Sequence, residues 1–129
     1  MLSDAFRAAV EAEDHEALTE ALADDVVFCS PAVFKPYEGK PVVSAILVEG
    51  AAKVFEDFRY TDQIESDGVA TLIFQARVGD RELDGLDLLR FDGDGKVGEL
   101  MVMVRPMSGL NALAEAMARR FQDAGIATA

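Results

Sequence analysis

Two periods organise the chain. Near both ends apolar side chains recur every three or four residues, and in the second half they alternate. Leu2, Phe6, Ala9 and Val10 follow helical spacing from Ser3, a residue type suited to an N-cap. Asp14 is placed to cap a second helix carrying Ala17, Leu18, Ala21 and Leu22. The run VVFCS (26–30) predicts a short buried strand that Pro31 ends. Residues 31–41, with Pro31, Pro36 and Pro41, read as a loop. A third helix follows, with Val42, Ile46 and Leu47 on its buried side and Phe55 as a further candidate.

The period then changes. In 58–65, Phe58, Tyr60 and Ile64 alternate with polar residues, which predicts a strand with one buried face. Asp67-Gly68 signals a hairpin turn. In 69–78 one face carries Ala70, Leu72, Phe74, Ala76 and Val78. Gly79-Asp80 and the DGDG at 92–95 turn the chain twice more, around a strand at 82–91 and into KVGELMVMVRP. Four consecutive strands make an antiparallel meander. From Ser108 the helical period returns, with Leu110, Leu113, Met117 and Phe121 on one side. The fold class is therefore α+β: one domain over residues 1–129, a cone-shaped curved antiparallel sheet with N-terminal helices packed over its concave face and a C-terminal helix. The interior of such a cone is a candidate site for a small molecule.

Composition narrows the function. The 129 residues include 24 acidic and 12 basic side chains, a net charge of −12. That charge disfavours nucleic acid and anionic membrane surfaces as partners. No apolar run approaches the roughly 20 residues that span a bilayer. The N-terminal stretch lacks the basic-then-apolar order of a signal peptide, so a cytoplasmic location is expected. With one Cys and one His, a four-ligand zinc site of these residues is excluded, and neither metal nor cofactor is expected.

One residue interrupts the apolar pattern. On the strand 82–91 one face holds Leu83, Gly85, Asp87, Leu89 and Phe91, and the other holds Glu82, Asp84, Leu86, Leu88 and Arg90. The first set is apolar except for Asp87, so the period points Asp87 inward. Three readings stand. Asp87 lines a pocket with a raised pKa and donates a hydrogen bond to a ligand oxygen. Alternatively it bonds a backbone amide or a tyrosine and serves structure, or the register is reversed and it is wet.

ALADDVVFCSPAVFKPYEGK (21–40) and LDLLRFDGDGKVGEL (86–100) carry a resemblance. The first has an acidic pair, short strand, Pro, loop and Gly before the third helix. The second runs Asp, apolar residues, Arg-Phe, turn, Gly-Lys and apolar residues. With the element order, up to about residue 107, the chain resembles the nuclear transport factor two-like superfamily, the SnoaL-like and ketosteroid isomerase-like cone folds. The resemblance implies a protonated Asp at Asp87, acting as acid or oxyanion donor. It puts the isomerases' general base at Ser30 and their helix-borne oxyanion donor at Phe6, so two of three functional groups differ. The Asp that polyketide cyclases and epoxide hydrolases place on the last strand falls at Val102. The further Arg and Asp of the hydrolases have no match on the inward face of 69–78.

Other candidates carry less. Ser30 and Cys29 lack a neighbouring base, because His15 lies in a polar segment between helices. Asp92 and Asp94 open a calcium-loop pattern, but its fifth and twelfth places fall on Lys96 and Met103. Phe34 and Tyr37 are candidates for the cavity wall. Met101, Met103 and Arg105 form the outer face of the last strand beside Val69, Ile73 and Leu86. That face is too apolar to leave wet, so a two-fold homodimer joined through it is expected, with cover by the C-terminal helix as the competing explanation.

The expected site is an interior apolar pocket lined by Phe6, Phe28, Ser30, Phe34, Tyr37, Phe58, Leu72, Phe74, Leu89, Leu100, Val102 and Val104, with Asp87 as its polar group. Its expected partner is a small apolar molecule bearing one carbonyl or hydroxyl. The function is then an isomerase-, cyclase- or dehydratase-type reaction using Asp87, or non-catalytic ligand binding or dimerisation on the same fold.

Overall fold

The computed structural model describes residues 1–125, apart from the side chain of Ala124. The elements are α1 (Ser3–Glu11), α2 (His15–Ala21), β1 (Leu22–Cys29), β2 (Tyr37–Glu38), α3 (Lys40–Ile46), a π-helical turn (Leu47–Ala51), α4 (Ala52–Val54), β3 (Glu56–Ser66), β4 (Val69–Val78), β5 (Arg81–Phe91), β6 (Val97–Arg105) and α5 (Met107–Ala124). One open, curved sheet has the strand order β2-β1-β6-β5-β4-β3. Strands β3 to β6 form the antiparallel meander. Strand β1 joins β6 in parallel, because helices and the rest of the sheet intervene in sequence. Asp67 and Gly68 close the first hairpin with φ of 52° and 78°, the left-handed pair that a type I′ turn requires.

The core sits on the concave face. Ala70, Leu72, Phe74 and Ala76 of β4, Leu83 and Leu89 of β5 and Leu100 of β6 are all buried, on the faces that alternation predicts. Gly85 faces the Phe74 ring, which a Cβ at this position would overlap. Helices α1 and α2 add Phe6, Ala9 and Leu18 to the same cluster.

Several local expectations fail, each for a definable reason. Ile64 is 64% exposed rather than buried. The β3–β4 pairing shifts between Tyr60 and Asp62, so Tyr60 lies opposite Phe74 while Gln63 lies opposite Leu72. One extra residue reverses the alternation. Phe58 and Tyr60 point inward before the bulge, Gln63 and Glu65 after it. Val42 is exposed and Val43 buried, a one-residue rotation of α3. Strand β1 starts at Leu22, which the helical pattern had placed in α2. Asp14 does cap α2, accepting the Ala17 N–H at 3.0 Å.

Ser3 is not the N-cap of α1. Leu2 holds that position and Ser3 is buried in the first turn. Its hydroxyl and N–H donate to Glu65 Oε1 at 2.6 and 2.9 Å, and the Leu2 N–H donates to Oε2 at 3.0 Å. A carboxylate on β3 therefore caps the helix, where orphan donors and the helix dipole both favour negative charge. These bonds hold the Glu65 carboxyl below its usual range, the Ser3 hydroxyl contributing most.

Helix α5 crosses the concave side. Leu113 and Phe121 are buried, Met117 packs on the core, and Gly109 lies against Leu83. Arg120 Nε donates to the Glu49 carbonyl at 2.8 Å, tying α5 to the π-helical turn. The described part of α5 thus leaves the outer sheet face uncovered, and Met103 there is 52% exposed. No described helix is long and apolar enough to cross a membrane.

Candidate functional site

The sheet, α1, α2, the loop after β1, the π-helical turn and α5 enclose a cavity of ≈770 Å³. Its wall is mainly apolar. On the β3–β4 side four rings touch. Phe58 stacks on Phe74 at 4.8 Å and meets Tyr60 edge-on at 5.0 Å, and Phe55 lies 5.5 Å from both Phe58 and Phe74. Phe28 and Tyr37 stack at 6.1 Å. Exposed polar side chains line the solvent end: Glu11, Glu13, His15, Asp57 and Arg59.

Asp87 lines this cavity from β5 and is only 8% exposed. Leu72 and Val102 flank it on the neighbouring strands. The Tyr60 hydroxyl donates to Asp87 Oδ2 at 2.7 Å. No enclosed side-chain oxygen lacks a partner among the described residues, and no protein bond to Oδ1 is present among them. Oδ1 is thus the oxygen left for the cavity.

Burial pushes the Asp87 carboxyl up to about 7, against the opposing effect of the Tyr60 hydrogen bond. The physical cause is loss of hydration of the charged form without a cation to replace it. Burial, then the charge of Asp87, raises the Tyr60 phenol well above its usual value. The Arg7 guanidinium lies 5.7 Å from the Tyr60 ring centroid and pairs with Glu11 at 3.3 Å. A carboxyl of this kind changes protonation near neutrality. Protonated, it donates to a carbonyl oxygen. Ionised, it accepts from a hydroxyl.

Most predicted wall residues meet here. Phe6, Phe28, Ser30, Tyr37, Phe58, Phe74, Leu100 and Val102 line the cavity with Asp87. Four do not. Leu72 and Leu89 point inward but are sealed within the core, and Val104 packs against the core rather than the cavity. Phe34 is fully exposed on the loop after β1, whose direction no periodicity fixes. The Ser30 hydroxyl accepts the Ala32 N–H at 2.9 Å. Cys29, opposite Met101, does not line the cavity, and burial raises its thiol pKa, with Glu99 adding to the shift. Among the described residues no three His, Cys, Asp or Glu side chains gather as metal ligands.

Sequence reasoning offers Asp87 a tyrosine partner without identifying it, and the structure shows that it is Tyr60. Alternation puts it on the inner face, but it reaches Asp87 across the whole width of β4. A single-strand pattern does not contain that contact. The usable signal was a phenol inside an otherwise apolar set, which needs a buried acceptor.

Comparison with known proteins places this architecture. A solved steroid delta-isomerase from Pseudomonas aeruginosa is 49% identical, with a TM-score of 0.88 over 92% of this chain and 88% of that one. An NTF2-like protein of unknown function from Mesorhizobium loti shares the fold at 19% identity, TM-score 0.72, over 81% of this chain and 88% of that one. The chain belongs to the nuclear transport factor two-like superfamily. Another relative is an uncharacterised protein with a cystatin-like fold from Silicibacter pomeroyi. It is 29% identical with a TM-score of 0.88, over 94% of this chain and 85% of that one. No protein-family model and no curated protein matches the chain. Within the superfamily, then, its similar structures include a steroid delta-isomerase and proteins of unknown function.

Proposed function

We propose that the cavity binds a small, mostly apolar molecule through a carbonyl or hydroxyl oxygen that meets Asp87, for an isomerase-, cyclase- or dehydratase-type reaction. The observation that carries this reading is a single ionisable carboxyl enclosed at an aromatic wall, with one oxygen bonded by Tyr60. In its neutral form Asp87 donates to the ligand carbonyl and stabilises negative charge developing on that oxygen. The likeness to a steroid delta-isomerase supports isomerase chemistry. The test is ligand screening with wild type and Asp87→Asn. A neutral aromatic ketone should bind wild type, more weakly above neutral pH than below it. Its binding should lose that pH dependence in the variant. A ketone that binds both proteins equally at every pH would contradict the role of Asp87.

A second reading is non-catalytic binding on the same fold. It is favoured by Phe6, which carries no polar side-chain group, and by Ser30, which is no carboxylate, at the positions to which the family resemblance assigns catalytic groups. Turnover of any ketone bound by wild type and lost in Asp87→Asn would eliminate it.

We also propose that the outer sheet face pairs with a second copy of this chain. Met101, Met103, Ile73, Leu86 and Leu88 form an apolar band, and Arg90–Glu99 at 3.1 Å and Arg105–Asp84 at 2.7 Å form charge-balanced rims. Charge balance matters in a chain of net charge −12, because like-charged copies otherwise repel. A light-scattering mass of one 13.9 kDa chain at micromolar concentration would contradict it.

A further inference from the structure

Among the described residues Asp87 has a hydroxyl donor and no cation. Its hydrogen-bond partner is the neutral Tyr60. The Arg7 guanidinium lies on the Tyr60 ring and is engaged by Glu11. Buried carboxylates are ordinarily paired with positive charge or kept neutral. The Tyr60 ring that bonds this carboxyl meets Phe58 edge-on at 5.0 Å, and Phe74 and Phe55 continue the same aromatic wall of the cavity. Aromatic faces carry negative quadrupole charge and attract cations, most strongly where water is excluded.

The path inward carries charges of both signs. Glu11, Glu13, Asp57, Arg59 and His15 line the solvent end. Arg59 is bonded to Gln75 at 2.7 Å and to the Asp57 carbonyl at 3.1 Å, and the Asp57 carboxylate is bonded to Arg77 at 2.8 Å. The mouth carboxylates Glu11 and Asp57 are thus paired with Arg7 and Arg77, and it is the −12 net charge of the chain as a whole that favours the approach of cations over anions.

We infer that the cavity also takes an apolar primary amine, bound as its ammonium ion, with the ammonium on Asp87 Oδ1 and its apolar body against the aromatic wall. This inference rests on the reading that the cavity is a ligand site, and it adds a ligand class of opposite electrostatic demand. A ketone needs the protonated carboxyl and an ammonium needs the ionised one. The two classes therefore titrate in opposite directions on the same side chain.

The experiment compares naphthylmethylamine with the neutral acetonaphthone by calorimetry on the full chain. With the carboxyl at about 7, amine affinity should rise about tenfold between about pH 6 and about pH 8, and ketone affinity should fall about tenfold. Asp87→Asn should weaken the amine at least ~10-fold at the higher pH and abolish both pH dependences. Tyr60→Phe keeps the carboxyl but removes the donor that favours its ionised form. It should move the amine curve to higher pH. Ketone binding with amine affinity that is flat in pH, or equal in wild type and Asp87→Asn, would overturn the inference and leave the ligand-site reading standing. Failure of both probes to bind would overturn the ligand-site reading and the inference with it.

Discussion

Two carboxyl groups sit on the inner face of this sheet and behave in opposite ways. Glu65, beyond the β3 bulge, accepts from Ser3 Oγ, the Ser3 N–H and the Leu2 N–H, and its carboxyl is held low. Asp87, on β5, accepts one phenol hydrogen bond and is pushed up to about 7. Both face inward, so orientation does not separate them. The number of donors does. Glu65 is saturated by a helix terminus and is structural. Asp87 is under-supplied, lines a cavity, and is left able to exchange a proton or meet a ligand.

The largest expected effect tests the under-supplied side. Unfolded Asp87 titrates near 3.8 and the folded group at about 7. Between these values the folded protein holds the extra proton, so stability is greatest at low pH and is lost as pH rises through about 7. The loss attributable to Asp87 is on the order of 4 kcal/mol. Asp87→Asn should remove it. Chemical denaturation of both proteins at several pH values checks this, and parallel pH profiles would break the comparison.

The saturated side should respond with the opposite sign. Glu65→Ala leaves three donors at the start of α1 without their acceptor, and should cost about 1–3 kcal/mol at neutral pH. Because the Glu65 carboxyl is held low, its contribution is present above the unfolded carboxyl range and fades on acidification. Urea midpoints at neutral and acid pH measure both parts.

A smaller effect sharpens the link between the two groups on β5 and β3. Tyr60→Phe removes the sole described donor to Asp87, and should raise the carboxyl pKa further while costing about 1 kcal/mol of stability at alkaline pH. Carboxyl titration of the variant reads the direction. The smallest effect tests the bulge that separates the inner residues of β3. Ile64 points outward, so Ile64→Thr should change stability by no more than about 0.5 kcal/mol. A cost of several kcal/mol would return Ile64 to the core and Glu65 to the surface.

These same residues mark what was legible in the sequence. The regular strands β4 and β5 declared their faces, because nothing interrupts alternation between Ala70 and Ala76 or between Leu83 and Leu89. Asp87 was therefore found from period alone. Ile64 was misplaced because a one-residue bulge leaves no mark in the hydrophobic pattern of its own strand. Ser3 matched the composition of a cap, but its partner lies 62 residues away in sequence. Tyr60 was placed on the correct face and not recognised as the partner of Asp87, since contacts across an intervening strand depend on pairing register. Leu72, Leu89 and Val104 show a further limit: facing inward does not distinguish the cavity wall from the sealed core behind it. Phe34 had no periodic neighbourhood at all. The α+β cone, by contrast, followed from the order of elements, and the 49% identical steroid delta-isomerase structure bears out the superfamily.

The most direct test is a carbon NMR titration of the side-chain carboxyls of the wild-type chain. Asp87 should titrate at about 7, while Glu65 titrates below the ordinary glutamate range. An Asp87 that titrates near 3.8, with the protein folded, would contradict the account, because the group would then be hydrated or fully bonded like Glu65.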